Sequence, residues 1–303
     1  KKSIFVILKN HNGIMDNTEL ARLSTQVRRD IIRMVTSAAS GHPGGSLGTA
    51  DLMTFLYFEV LKHDPASFTA TGKGEDVFYL SNGHISPVWY SVLARNGYFP
   101  VSELATFRAI GSRLQGHPTP VKGIPGVRVA SGSLGQGLST ALGHALAKKF
   151  DGDPCKVYVL MGDGETQEGQ VWEAAMFGAA RGIDNIIAFV DWNNQQIDGS
   201  CDEVLPLGDY EGKWRAFGWQ VLTMDGHDFS DMRRVIAEAQ SLCGKGKPVI
   251  ILTRTDMGHG VDFMCGTNEW HGKAPSQEQA QKALAQLEET VGDYYACIKN
   301  CSR

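Results

Sequence analysis

The sequence lacks the features that would place the protein in a membrane, on nucleic acid or in an oxidising compartment. Its 303 residues contain no apolar run near the roughly 20 residues that cross a bilayer. With a net charge of −4 and no basic run, neither nucleic acid nor an anionic membrane is an expected partner. The six cysteines form no Cys-x-x-Cys pair, and Cys297 and Cys301 are expected to be bystanders. These absences predict a reducing, cytoplasmic location.

The amino-terminal segment has two parts. Residues 1–14 lack the full pattern of a signal peptide, and we expect them to be a non-native or disordered extension preceding a natural start at Met15. Asp16 and Glu19 resemble a capping box at the start of a helix. Six apolar residues then form one helical stripe: Leu20, Leu23, Val27, Ile31, Met34 and Val35.

Two oxygen-rich segments each follow a predicted buried strand. Residues 161–169 (MGDGETQEG) follow the apolar run 156–160, and residues 191–199 (DWNNQQIDG) follow the run 186–190. A helical pattern between them predicts a strand–helix–strand unit, with Asp163 and Asn193 at the carboxyl ends of neighbouring parallel strands. Magnesium prefers such oxygen ligands, shared with substrate phosphates.

A lone Gly-Asp-Gly is usually only a turn. Here, glycines on both sides of Asp163 allow a phosphate to approach the backbone, and a second oxygen-rich strand end lies one unit away. The combination predicts half of a diphosphate-and-magnesium site. It is not a P-loop, because no Lys-Ser/Thr follows the glycines.

Four histidines lie in loop-like segments rich in glycine or proline. Imidazoles suit a site that moves protons near neutral pH and binds phosphate or hydroxyl groups. The four are His42, His84, His117 and His271. By contrast, His11, His63 and His144 are expected to have ordinary roles. The Gly-rich segment 130–137 precedes a helical run, and it suits either anion binding by backbone amides or tight helix packing.

The apolar runs predict a three-layer α/β domain whose mostly parallel sheet is flanked by helices. The predicted strands cover residues 77–80, 156–160, 186–190, 219–223 and 248–253. Residues 228–242 are predicted to form a crossover helix, and residues 276–279 to open a last helix with a capping box.

Seven ordered motifs resemble those of transketolase over nearly the whole chain from Met15. They occupy residues 41–48, 81–84, 116–118, 132–137, 162–169, 191–199 and 271–275. The resemblance is to the amino-terminal, diphosphate-binding portion alone. It implies that residues 15–303 form a thiamine diphosphate-binding domain, the N-terminal subunit of a split transketolase.

The resemblance also implies roles for individual residues. The magnesium ligands would be Asp163, Asn193 and the backbone carbonyl of Gln195. Thiamine diphosphate would contact His84, Gly164, Asn193 and His271, with the loop of Gly132, Ser133 and Leu134 lining the thiamine moiety. Sugar hydroxyls would bind, and protons would be relayed, at His42, His117 and His271. Glu168 would lie at the subunit interface, near the glutamate that activates the cofactor. This chain has Gln at position 195 and Ser at position 133, where some relatives carry an apolar residue or proline. The change at position 195 has little effect on the implied role, because that residue acts through its backbone carbonyl.

The implied activity is transfer of a two-carbon ketol unit between sugar phosphates, as in the pentose phosphate pathway of carbohydrate metabolism. In the family, a glutamate of the pyrimidine-binding domain activates the cofactor, and arginines grip the sugar phosphate. No stretch here matches either. We therefore expect a subunit that is inactive alone and works in an α2β2 heterotetramer with a C-terminal chain. Its docking face should be a large apolar surface that includes Trp172 or Trp192, unless these residues belong to the core. Residues 256–270, which lack periodicity, are expected to fold over the cofactor and to order only in the complex.

Three alternatives stay open. The first is another thiamine diphosphate enzyme, of the 2-oxo acid dehydrogenase alpha-subunit type or the deoxyxylulose phosphate synthase type; the set His42, His117 and His271 together with residues 167–169 favours transketolase over both. The second is a split transketolase for a sugar other than the pentose phosphates. The third is a non-catalytic binding subunit, against which the retained metal ligands and histidines argue.

Overall fold

The computed structural model describes residues 14–295. Residues 1–13, which make up most of the predicted extension, lie outside this range, as do Cys297 and Cys301. None of the helices between residues 14 and 295 has the length and hydrophobicity needed to cross a bilayer.

Five parallel strands form the central sheet, in the order β1-β2-β3-β7-β6. A separate antiparallel pair, β4 and β5, forms a small hairpin after β3. The strands are β1 (Val77–Leu80), β2 (Val157–Gly162), β3 (Ile186–Trp192), β4 (Gln195–Gln196), β5 (Gly199–Ser200), β6 (Gln220–Asp225) and β7 (Val249–Arg254). All five predicted strands are confirmed, with ends that differ by at most two residues. β1, β2, β3 and β7 are almost wholly buried, which explains their near-continuous apolar sequences.

Helices cover both faces of the sheet. They are α1 (Asn17–Ser37), α2 (Pro43–Gly48), α3 (Ala50–Phe55), α4 (Ser86–Arg95), α5 (Gln136–Phe150), α6 (Gly169–Ala180), α7 (Cys201–Val204), α8 (Tyr210–Ala216), α9 (Phe229–Leu242) and α10 (Gln277–Gln286). One apolar core joins α1, α3, α4 and α9 to side chains such as Tyr158 and Phe189. A second core on the opposite face joins α5, α6 and α8 to Val159 and Val190. The alternation of strand residues between the two cores confirms the three-layer prediction.

The helix ends follow the predicted signals in part. The Asp16 carboxylate caps α1 by accepting a hydrogen bond from the Thr18 N–H, rather than in the two-way capping box expected with Glu19. All six residues of the predicted stripe on α1 are buried. The capping box of Ser276 and Gln279 at the start of α10 is confirmed.

The two tryptophans suggested for the apolar docking face are half-buried and pack against aromatic neighbours. Trp172 lies between the rings of Trp214 and Phe217, at centroid distances of 4.9 and 5.1 Å, and is half-buried. Trp192 packs edge-on against Tyr210. Helical and strand periodicity could not reveal these aromatic contacts, because the partners come from a later helix. The large apolar side chains that α6 and the segment after β3 expose are Met176, Phe177, Ile197, Val204 and Leu205.

Candidate active site

The carboxyl ends of β2 and β3 bring two aspartates together. Gly162 pairs with Asp191 in the parallel register, and the Asp163 N–H donates to the Asp191 carbonyl over 3.2 Å. The Asp163 carboxylate accepts hydrogen bonds from the backbone N–H groups of Gly164, at 2.8 Å, and Asn194, at 2.6 Å. Asn194 adopts a left-handed φ of 58°, which turns its N–H toward that carboxylate.

Asn193 orders the turn that follows β3. Its Nδ2 donates to the Asp191 carboxylate over 2.9 Å, and its Oδ1 accepts from the Gln195 N–H, also at 2.9 Å. The other carboxylate oxygen of Asp191 accepts from the Thr255 hydroxyl. The three predicted metal ligands are Asp163, Asn193 and Gln195. They therefore lie in one hydrogen-bonded cluster, in which the Asn194 N–H joins the turn after β3 to Asp163. Sequence reasoning gave no separate role to Asp191, because its partner Thr255 lies far along the chain.

Burial dominates the electrostatics of this turn. Both aspartates are 2% exposed, and neither forms an ion pair with any residue in the described range. Desolvation raises the pKa of Asp163 to about 6, and desolvation together with the nearby Asp163 charge raises the pKa of Asp191 to about 7. Two buried carboxylates without a cationic partner are costly. A divalent cation would offset that cost, so the donor set fits magnesium.

The four predicted histidines converge beside this turn. His42 immediately precedes α2, His84 lies in a 3₁₀ turn after β1, and His271 follows a 3₁₀ turn after β7. The His42 ring centroid lies 5.2 Å from that of His84, 6.2 Å from that of His117 and 5.9 Å from that of His271. His117 is the most exposed of the four, so the cluster opens to solvent on its side.

Burial lowers the pKa of all four imidazoles and so favours their neutral form. Burial, the other histidines and the Arg108 guanidinium lower the pKa of His42 to about 4. Burial also lowers the pKa of His84, His117 and His271. A neutral imidazole carries one N–H donor and one acceptor nitrogen. The cluster can therefore donate to and accept from hydroxyl groups.

The Gly-rich loop packs against the histidines. Gly132 has a φ of 133°, and a Cβ at this position would lie 3.0 Å from the His117 ring. The Leu134 carbonyl accepts from Gln170 Nε2 over 3.0 Å, which ties the loop to α6. Ser133 is exposed and Leu134 is half-buried. The close approach to His117 explains why glycine is required at position 132.

Glu165 is a buried residue of the site region that sequence reasoning missed. Its carboxylate accepts from the Ser81 hydroxyl, from the Gly135 N–H at 2.7 Å and from the Gly162 N–H at 3.0 Å. It thereby joins the ends of β1 and β2 to the start of α5. Its position inside the Gly-Asp-Gly-Glu segment was visible, but its partners come from two distant segments.

The other residues named from the sequence lie at the edge of the site or outside it. Gly164 donates its N–H to Asp163 and lies under Gln196, whose Cβ would be 3.3 Å from an added Cβ. Glu168 is exposed at the start of α6. His63 and His144 form structural hydrogen bonds with tyrosines, at 2.7 Å to Tyr98 and 2.6 Å to Tyr79, as their ordinary roles predict.

Several buried polar atoms around the site have no hydrogen-bond partner within residues 14–295. They are His42 Nδ1, Asn82 Oδ1, Ser131 Oγ, Gln196 Nε2 and His271 Nδ1. Unpaired buried polar atoms are rare in folded proteins, so their concentration here indicates a ligand-binding site. A large polar cofactor with donors and acceptors fits these atoms.

Comparisons with known proteins agree with the geometry. The family model described as "Transketolase, thiamine diphosphate binding domain" matches residues 21–292. The 6-deoxy-6-sulfo-D-fructose transketolase subunit SqwG of Clostridium sp. (strain MSTE9) is 39% identical, over 89% of this chain and 96% of its own length. An apulose-4-phosphate transketolase subunit from Phocaeicola vulgatus is 37% identical, over 88% of this chain and 93% of its own length.

Solved structures agree as well. The crystal structure of transketolase from Campylobacter jejuni superposes with a TM-score of 0.84 at 30% identity, covering 92% of this chain but 44% of that one. The family model matches well over half of the chain. This chain therefore belongs to the transketolase family and carries the family's thiamine diphosphate-binding domain.

Proposed function

We propose that this chain is the diphosphate-binding subunit of a transketolase that depends on magnesium and thiamine diphosphate. Together with a separate chain, it transfers a two-carbon ketol unit between sugar phosphates. The observation that carries the proposal is the pair Asp163 and Asp191, two buried carboxylates without a cationic partner in the described range, beside four converging histidines.

The magnesium ion would be held by Asp163, by Asn193 and by the backbone carbonyl of Gln195. Gly164 would offer its backbone to the diphosphate, because glycine has no side chain of its own at that position. When bound, thiamine diphosphate supplies an electron sink for breaking and making the C–C bond next to a carbonyl. The residues of this chain would orient the diphosphate and, by holding magnesium, compensate its negative charge.

The histidines bind hydroxyl groups and move protons. His84 and His271 stack with centroids 5.1 Å apart and would contact the cofactor. His42, His117 and His271 lie where a sugar could approach from the open side of the cluster. Because each ring is neutral, it can accept a proton from one hydroxyl while donating to another. The loop of Gly132, Ser133 and Leu134 would line the thiamine moiety.

The partner would be a second chain with a pyrimidine-binding domain. Two relatives named as transketolase subunits are spanned almost fully by this chain, whereas whole transketolases are spanned to less than half. Met176 and Phe177 on α6 are 57% and 42% exposed, and Leu205 is 54% exposed, which supports burial against another chain. Glu168, exposed at the start of α6, would lie in this interface. An α2β2 assembly in the cytoplasm completes the proposal.

The proposal does not specify which sugars are the donor and the acceptor. The two relatives named above carry the names of different sugars, a sulfonated deoxyfructose and apulose 4-phosphate. Pentose phosphates are the first donors and acceptors to test.

The test measures ketol transfer from xylulose 5-phosphate to ribose 5-phosphate, with thiamine diphosphate and magnesium, for this chain alone and mixed with a candidate C-terminal chain. A panel of other sugar phosphates runs in parallel. Transfer in the mixture alone supports the proposal. Transfer by the chain alone overturns the split-subunit part, whereas cofactor binding without transfer from any sugar supports the non-catalytic alternative.

A further inference from the structure

A second cluster of ligand-type side chains lies on the loop between β7 and the last 3₁₀ turn. One oxygen of Asp256, one ring nitrogen of His259 and the Cys265 sulfur all lie within 4.8 Å of one another. A tetrahedral zinc ion with bonds of about 2.0 to 2.3 Å holds neighbouring ligand atoms roughly 3.4 to 3.7 Å apart. Side-chain rotations that move the ligand atoms by about 1 Å would bring them to the spacing that zinc requires. Asp256 and Cys265 are both exposed and free to make these rotations.

We propose that Asp256, His259 and Cys265 form a binding site for a borderline-soft divalent cation such as Zn²⁺. Three protein ligands with sulfur, nitrogen and oxygen donors are typical of zinc sites that keep a fourth position open to water. This proposal does not depend on the proposed function. The site is separate from the Asp163 and Asn193 turn, whose donors are all oxygen.

The loop backbone holds the three residues together. The His259 N–H donates to the Asp256 carbonyl at 3.1 Å, and the Gly266 N–H donates to the Met257 carbonyl at 2.8 Å, which closes the loop on itself. Met257, Val261 and Met264 anchor it in the core. Gly258 has a φ of 77°, and a Cβ there would lie 2.1 Å from the Met264 carbonyl, so the tight crossing requires glycine. The buried anchors leave the three ligand side chains on the outer face.

Neighbouring residues hold His259 in place and leave its nitrogens available. Its ring stacks on His227, with centroids 3.6 Å apart and planes 10° apart. His227 is itself fixed, because Nδ1 bonds the Asp51 carboxylate at 2.9 Å and Nε2 accepts from the Asp256 N–H at 3.0 Å. Within the described residues, the ion-pairing partner of the His259 ring is the Asp256 carboxylate, which lies 3.8 Å from Nδ1.

An alternative set, Asp51 with His227 and His259, also has its ligand atoms within 4.8 Å. It is the weaker candidate, because both nitrogens of His227 are already hydrogen-bonded. Asp51 is also engaged, in a two-pronged ion pair with Arg28 at 2.9 Å and about 2.5 Å. That ion pair offsets part of the Arg28 charge near His259. An open cleft of about 490 Å³, lined by Asp256 and His259 among others, gives an ion access to the site.

The test uses Co²⁺ as a spectroscopic probe of the full chain purified without thiamine diphosphate. Cys297 and Cys301 are first changed to serine in every protein, so that their thiols cannot contribute. We expect an intense near-ultraviolet thiolate-to-cobalt charge-transfer band that saturates at one equivalent and is removed by Zn²⁺. The Cys201 thiol hydrogen-bonds the Asp163 carboxylate, so cobalt held at Asp163 and Asn193 would give a band that C201S removes and C265S leaves unchanged.

The variants assign the band. C265S is expected to abolish it, and D256N to weaken Co²⁺ binding. C243S, which changes a half-buried cysteine elsewhere, is the matched control and should retain the band. Circular dichroism checks that each variant folds, which is expected because Cys265 and Asp256 are exposed. Absence of the band in the parent protein, or its persistence in C265S, would overturn the proposal.

Discussion

The rings of His84 and His271 stack with their centroids 5.1 Å apart, although one residue follows β1 and the other follows β7. β2 and β3 lie between those two strands in the sheet. The histidine cluster therefore forms only when the sheet is complete, because no local segment contains two of its members. The geometry of the site therefore depends on the tertiary structure and not on any local segment.

The first prediction concerns the cation. D163N removes a buried carboxylate that has no cationic partner among the described residues, so it should abolish binding of magnesium with thiamine diphosphate. Thermal unfolding measures this: the cofactor pair should raise the Tm of the parent chain and leave that of D163N unchanged. D198N makes the same change at an exposed aspartate in the segment after β3 and should keep the full shift. A full shift in D163N would contradict the metal assignment.

The second prediction concerns Glu165, which joins three segments through accepted hydrogen bonds. In E165Q, one carboxylate oxygen becomes an NH₂ group that faces a backbone N–H donor. We expect the free energy of unfolding to fall by about 1 to 3 kcal/mol, the cost of leaving a buried donor unpaired. Urea denaturation without cofactor measures it. E173Q, at an exposed position of α6, is the control and should unfold like the parent chain; equal stability of E165Q would show that the network contributes nothing.

Much of the site could be predicted from the sequence, for a physical reason. The ends of parallel strands meet at one edge of a sheet, so residues that follow buried strands are brought together whatever lies between them. That rule is enough to place Asp163 next to Asn193. It also explains why loop histidines from distant segments converge.

The rest depends on contacts that no local pattern encodes. Glu165 and Asp191 are buried because Ser81, Gly135 and Thr255 supply hydrogen bonds from elsewhere in the chain. The contacts of Trp172 and Trp192 could not be predicted, because their aromatic partners lie on α8 and just beyond it. His227 and His259 drew no attention in the sequence, since each becomes informative only when stacked on the other.

The third prediction contrasts two glycines. G132A places a methyl group 3.0 Å from the His117 ring at a φ of 133°, where alanine is strained. We expect ketol transfer by the assembled enzyme to drop, with the affinity for the sugar falling more than that for thiamine diphosphate. G143A lies inside α5 with open space around the added Cβ. It should raise stability by about 0.5 to 1 kcal/mol and leave activity intact. Unchanged kinetics in G132A would refute the role of this close approach.

The fourth prediction concerns pH. The folded chain holds the pKa of His42 at about 4, below the ordinary value of 6.5. Between these values the unfolded chain binds more protons at this residue, so its contribution to stability rises with pH and is complete above pH 6.5. As pH falls toward 4, that contribution is lost.

H42N removes the titration while keeping a polar side chain of similar reach. The difference in unfolding free energy, parent minus H42N, should therefore increase as pH rises from about 4 to 6.5 and then level off. Urea denaturation of both proteins without cofactor, across this range, measures the difference and cancels the titration of groups far from His42. Parallel pH curves for the two proteins would mean that His42 keeps its ordinary pKa in the fold. In that case, neither burial nor the neighbouring positive charge would be weakening proton binding at this imidazole.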